Sequence, residues 1–197
     1  MIIASDFEVA QPVDQVWRFF DNIPQVASCL PGAELTKDLG DNKYEGRVAI
    51  RMGPVRMQFT GTADITERDD AAKHIVVNAA GADEKGRGQA AMVVSATLSP
   101  KGRGTKVAVT QDLQLSGAAA QYGRGMISDF SAILIRDFSV NMQDRMARIA
   151  RGESAEQFAA AGAGSSVSGF TIALRATRLA LARVFRRFFL PYQPTAT

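Results

Sequence analysis

The chain has one cysteine, Cys29, and one histidine, His74, among its 197 residues. A lone cysteine excludes an intramolecular disulfide and any cysteine-based zinc site. A lone imidazole leaves no second His to complete a metal site, and it is the only imidazole base open to Cys29 as a nucleophile. His74 follows "DDAAK" at the start of a predicted strand, where a solvated edge residue is expected, and Ser28-Cys29 reads as a packing element of a short helix. No run of about 18 uncharged apolar residues exists, so no ordinary membrane span is expected. The opening "MIIASDFEVA" lacks the basic n-region of a signal peptide, which points to the cytoplasm. "GRGQAA" and "QYGRGM" lack the strand-to-helix context and glycine spacing of a dinucleotide loop. Asp64, Glu84 and Asp112 fall on outward positions or loops. With no catalytic constellation, no metal and no covalent cofactor expected, the chain reads as a non-enzyme.

What is present is ordinary in amount and uneven in placement. The chain is 46% hydrophobic and 22% charged, close to a soluble globular protein. Of its 23 Lys and Arg and 20 Asp and Glu, residues 1–152 hold 18 of each, so that stretch is neutral. Residues 153–197 carry five Arg against Glu153 and Glu156, which supplies the whole net charge of +3. An anionic partner is therefore expected at the tail and not at the body. Three parts follow: a domain over 1–152, a flexible Ala/Gly/Ser linker over 153–168, and a basic tail over 169–197.

Period-two alternation dominates the body. "IIASDFEVA" predicts a strand with Ile3, Phe7 and Val9 on one face. Pro12 opens a short helix whose inner face carries Val13, Val16, Trp17 and Phe20. Asn22 can cap a second short helix that Pro31-Gly32 ends. In "KYEGRVAIRM" the residues Tyr44, Gly46, Val48, Ile50 and Met52 face one way, and in "VRMQFTGTADIT" Val55, Met57, Phe59, Gly61, Ala63 and Ile65 do the same. Three more strands are predicted near 74–82, 88–98 and 105–115. The two Lys-Gly-Arg-Gly stretches between them read as hairpin tips with basic residues in solvent, not as nucleic-acid contacts. From Gly125 the period becomes helical, with Ile127, Phe130, Leu134, Phe138, Met142, Met146 and Ile149 on one face until Gly152.

An antiparallel sheet with one apolar face and a single long amphipathic helix is an α+β arrangement, and it is best satisfied when the sheet curves around the helix. The inward set mixes small residues (Gly46, Gly61, Ala63, Ala79, Gly81 and Ala91) with large ones, including methionines that repack around a guest. Small residues there leave volume for an elongated hydrophobic cavity, the alternative being that bulky neighbours fill the space. By parity and helical face its lining is Ile50, Met52, Met57, Phe59, Met92, Val94, Phe130, Leu134 and Phe138.

Three stretches, "FEVAQPVDQVWRFFDNIPQVASCLPGAEL", "GPVRMQFTGTADI" and "GRGMISDFSAILIRDF", resemble the G-subunit family of carbon monoxide dehydrogenase, within the START/SRPBCC superfamily. Cys-Leu-Pro-Gly at 29–32 and Gly-Pro-Val…Phe-x-Gly at 53–61 carry most of that likeness, which spans about residues 1–150. The resemblance implies a helix-grip fold with a deep hydrophobic cavity. It also implies partnership with carbon monoxide dehydrogenase or a related molybdenum hydroxylase at the inner face of the cytoplasmic membrane. A respiratory quinone, menaquinone or ubiquinone, or another lipid suits such a cavity.

The tail, "GFTIALRATRLALARVFRRFFLPY", is judged on its own residues. Wound as a helix it gathers Phe170, Leu174, Leu181, Phe185 and Phe188 on one face. Arg175, Arg183, Arg186 and Arg187 lie around the other side, and Arg178 borders the apolar one. Each central Arg would cost about 2.5–3.5 kcal/mol in a span, so an amphipathic helix in the membrane interface is the leading expectation. Docking on a protein partner and a disordered basic tail are the alternatives. Three functions follow: a quinone or lipid carrier that tethers the dehydrogenase to the membrane, an assembly or docking factor without cargo, and a cyclase- or hydrolase-like enzyme. The last needs polar groups converging inside the cavity, with Tyr44 the inward candidate.

Overall fold

The computed structural model describes residues 1–52 and 55–152, with Met52 and Val55 described by their backbone alone. The predicted linker and the tail residues Phe170, Leu174, Arg175, Arg178, Leu181, Arg183, Phe185, Arg186, Arg187 and Phe188 lie outside the described residues. The order of elements is β1 (Ile2–Val9), α1 (Val13–Phe19), α2 (Ile23–Cys29), β2 (Ala33–Gly40), β3 (Lys43–Met52), β4 (Val55–Asp69), β5 (His74–Asp83), β6 (Gln89–Lys101), β7 (Gly104–Leu115), a 3-10 turn (Gly117–Gln121) and α3 (Arg124–Ala150). The strands form one curved antiparallel sheet in the order β1-β7-β6-β5-β4-β3-β2. Strand β2 is absent from the sequence reading, because "AELTKDLG" has no sustained alternation and its second half is exposed.

Local chemistry explains the ends. Pro12 precedes α1, and the Asn22 side chain accepts from the Gln25 amide at the start of α2. The β2–β3 turn needs positive φ at Asp41 and Asn42, which short polar side chains tolerate. His74 is not on a sheet edge as expected. It starts the central strand, half-buried, with Nδ1 2.8 Å from the Thr97 hydroxyl of β6.

The main core lies at the α1 end. Val16, Trp17, Phe19 and Phe20 pack with Phe7 and Val9 of β1, Ile75 of β5, Ala96 and Leu98 of β6, Val107 and Val109 of β7, and Met142 and Met146 of α3. Each such buried apolar side chain contributes about 1.5–3 kcal/mol relative to exposure. A β-bulge after Ile65 shifts the register of β4 against β5. Beyond it the Arg68 guanidinium sits 4.4 Å from the Trp17 ring, while the Trp17 indole N–H donates to Asp70 at 2.8 Å. A second cluster, Met57, Phe59 and Ala119, with Ile50, Ala90 and Leu115 against it, lies apart from the first.

Helix α3 differs from its predicted face. Of the predicted inward residues Ile127, Phe130, Leu134, Phe138, Met142, Met146 and Ile149, only Met142 and Met146 are buried, and Ser131 and Ser139 are buried beside them. Ile149 is exposed, and Phe130, Leu134 and Phe138 are only half-buried. The helix packs chiefly on β1 and α2, and two serines on that ridge permit close approach. The ridge is therefore rotated from the apolar stripe, which leaves Phe130 and Leu134 on the other side of Ser131 from the β1 groove.

Candidate functional site

The strand register turns the concave face into rows. One row runs Tyr44, Ala63, Ala79, Met92, Leu113 across β3 to β7, and its neighbour runs Leu35, Gly46, Gly61, Gly81, Ala90, Leu115 from β2. The predicted lining divides among three places. Ile50, Met57 and Phe59 meet in the second cluster, whereas Val94 and Phe138 pack against the main core. Met92, Phe130 and Leu134 are half-buried and belong to neither cluster. The side chain of Met52 lies outside the described residues. Ala63, Ala79 and Met92 share one strand row of the concave face and belong to neither packed cluster, which makes that row the candidate trough.

Two corrections concern the small residues of this face. Ala91 is exposed on the convex face, paired with Ala80, because Met92 takes the inward position. Nor do the glycines leave empty volume. A Cβ on Gly46 would sit 2.8 Å from the Glu34 carbonyl oxygen, and one on Gly61 would lie 2.5 Å from the Gly81 Cα. Neighbouring backbone fills those places, so the glycines bend the sheet and the alanines Ala63 and Ala79 make the floor.

At the β3–β4 flank an open cleft of about 340 Å³ is lined by Phe20, Asp21, Ile23, Asn42, Tyr44, Ile65, Thr66, Glu67 and Arg68. Tyr44 and Ile65 belong to both cleft and concave face. A second open cleft, about 330 Å³, runs between β1 and α3 past Phe7, Ile135 and Val140.

Polar groups on the concave side were missed by the sequence reading. Gln111 of β7 is 8% exposed, and its Oε1 accepts a 2.9 Å bond from the hydroxyl of Ser131, itself 5% exposed. Asp83 ends β5 with a fully buried side chain. It accepts from Arg87 Nε and Nη2, both at 2.8 Å, and from the amides of Gln58, Lys85 and Arg87. Arg87 Nη2 also donates to the Arg56 carbonyl. Arg87 is thus not a solvated hairpin residue; it is half-buried and ties two hairpins together. The overlooked signal was inward parity: Asp83 follows Ile75, Val77, Ala79 and Gly81, and Gln111 follows Val107 and Val109.

These groups offer little for catalysis. The bonds from Arg87 hold the Asp83 carboxyl well below the usual carboxylate range, which makes it a poor proton acceptor. Burial pushes the Cys29 thiol up to about 11, against the lowering charge of Arg145. Cys29 is expected to resist a thiol reagent at pH 8 in the folded protein and to react fully in urea. Equal rates in both states would show that the thiol is accessible. Among the described residues, no group of three or more His, Cys, Asp or Glu is gathered for a metal. No helix among them is long and apolar enough to cross a membrane.

A curved seven-stranded antiparallel sheet, two short helices after its first strand and a long helix after its last define a helix-grip domain of the START/SRPBCC type. A conserved protein of Geobacillus kaustophilus has this fold, with a TM-score of 0.68 at 21% identity over 75% of this chain and 96% of its own. A protein of Thermus thermophilus gives 0.55 at 12% identity, over 76% and 99%. The Zhui aromatase/cyclase of a Streptomyces species gives 0.50 at 15%, over 75% and 94%. No curated protein matches the chain. The chain belongs to the CoxG family, the G-subunit family of carbon monoxide dehydrogenase, whose model matches residues 6–147.

Proposed function

We propose that this protein binds a hydrophobic ligand, a respiratory quinone or other lipid, in the trough of the concave face, without catalysing a reaction on it. The observation that carries this reading is the placement of Met92, Phe130 and Leu134. All three are half-buried and belong to neither packed cluster, and Met92 shares a strand row with Ala63 and Ala79. Water against such a surface is unfavourable, and an apolar guest filling it would recover about 25 cal/mol for each Å² removed from solvent. Methionine and aromatic side chains suit an elongated isoprenoid guest, because they adjust without strain.

The family name supplies the partner in this proposal: carbon monoxide dehydrogenase or a related molybdenum hydroxylase. The acid-free stretch with Arg175, Arg178, Arg183, Arg186 and Arg187 supplies attraction to the anionic inner face of the cytoplasmic membrane. The protein would then hold the dehydrogenase at the membrane and support electron transfer to the quinone pool.

Solvent extracts of the purified protein are expected to contain quinone or lipid by mass spectrometry. Added menaquinone or ubiquinone is expected to raise Tm. Absence of any lipid together with an unchanged Tm would end the carrier reading. Capture of the dehydrogenase by such a lipid-free protein would instead support an assembly or docking role. In the same series, full-length protein is expected to float with anionic liposomes and a truncation ending at Gly152 to stay behind. Equal flotation would remove the tail from the membrane role.

A further inference from the structure

The proposed guest site has one polar contact of defined sense. Gln111 pairs with Val94 of β6 and with Ile3 of β1 on the concave face, one row from Met92 and Leu113. Its carboxamide oxygen is taken by the Ser131 hydroxyl. Its amide nitrogen has no hydrogen-bond partner among the described residues, yet it is not among the fully enclosed unsatisfied atoms, which are Gln11 Oε1 and Arg47 Nε. The nitrogen therefore keeps a little accessible surface on a side chain that is only 8% exposed. Ser131 lies beside Phe130 and one turn from Leu134 on α3, both half-buried and outside the two packed clusters.

An amide whose oxygen is occupied can only donate. A buried donor without a partner costs free energy that a ligand acceptor can recover. We propose that Gln111, oriented by Ser131, is the specificity-determining residue of the trough and donates from Nε2 to a carbonyl oxygen of the guest. The class selected is an apolar molecule bearing a ketone, quinone or ester carbonyl. A pure hydrocarbon would leave the donor unmet, and an alcohol would bring its own proton into an apolar surround. Ser131 acts as a positioning residue, since without it the carboxamide is free to flip and present oxygen.

This inference rests on the reading of the trough as a ligand site, and matched probes separate the two. Binding of 2-acetylnaphthalene and of 2-ethylnaphthalene, which have similar shape but differ in the carbonyl, is measured by equilibrium dialysis on the full chain. The ketone is expected to bind about tenfold more tightly to the natural protein. Gln111→Met is expected to abolish the preference while keeping hydrocarbon affinity, and Ser131→Ala to reduce it. Ser131→Ala serves alone if Gln111→Met does not fold. Equal affinity for both probes in the natural protein, or a full preference surviving the substitutions, would overturn the role of Gln111 and leave the trough as a binding site. Binding of neither probe would overturn the ligand-site reading and this inference together.

Discussion

Gly61→Val is expected to give a chain without a cooperative unfolding transition, and Gly61→Ala to lose about 3 kcal/mol, the upper end of the overpacking range. The reason lies across the β4–β5 ladder. Gly61 pairs with Gly81, and a Cβ at Gly61 would overlap the Ala80 carbonyl oxygen as well as the Gly81 Cα at 2.5 Å. Both obstacles are backbone atoms, so no rotamer change relieves them. Separating the strands would break ladder hydrogen bonds at the centre of the sheet. Gly81 faces milder crowding, with a Cβ 3.0 Å from the Thr60 carbonyl oxygen, and Gly81→Ala is expected to cost about 1 kcal/mol. Urea unfolding followed by circular dichroism tests the order of the two. Equal stability of Gly61→Ala and Gly81→Ala would refute the claim that the glycine row lets the strands close and the sheet curve.

Asp83→Asn is expected to lower Tm on the order of 10 °C at pH 7. The carboxylate holds the Arg87 guanidinium through two bonds of 2.8 Å and takes three backbone amides, so one substitution loosens the β5–β6 hairpin and its link to the Arg56 carbonyl. The direction of the pH dependence follows from the depressed folded-state pKa, which lies below the ordinary aspartate value of 3.8. Stabilisation by the ionised carboxylate is complete above that ordinary value, and it is lost as pH falls toward the folded-state value. The gap in Tm between natural protein and variant is therefore expected to be widest near neutrality and to narrow below about pH 4. A gap of constant size between pH 7 and pH 3 would mean that the charge of Asp83 contributes nothing.

The fold was largely legible because its signals are local. Alternation in "KYEGRVAIRM" and "VRMQFTGTADIT" marked strands β3 and β4, Pro12 and Asn22 marked the short helices, and the change of period near Gly125 marked α3. Strand β2 escaped because an edge strand with an exposed second half needs no apolar alternation. Of the proposed site, parity assigned Ile50, Met57, Phe59, Met92 and Val94 to the concave face. The mistaken Ala91 came from counting small residues without holding to that parity.

What the sequence determined by itself is the class of each surface: which strand faces are apolar, that the body is neutral, and that the basic charge lies in the tail. These depend on period and composition, which neighbours in the chain carry. Only the tertiary structure decided how the surfaces meet. It placed Met57 and Phe59 in one cluster and Phe138 in another, and it filled the glycine positions with adjoining backbone. It turned the serine ridge of α3 toward β1 and set Ser131 on Gln111. Each of these depends on strand register or helix rotation between residues distant in sequence, and one residue's shift in either would reverse it.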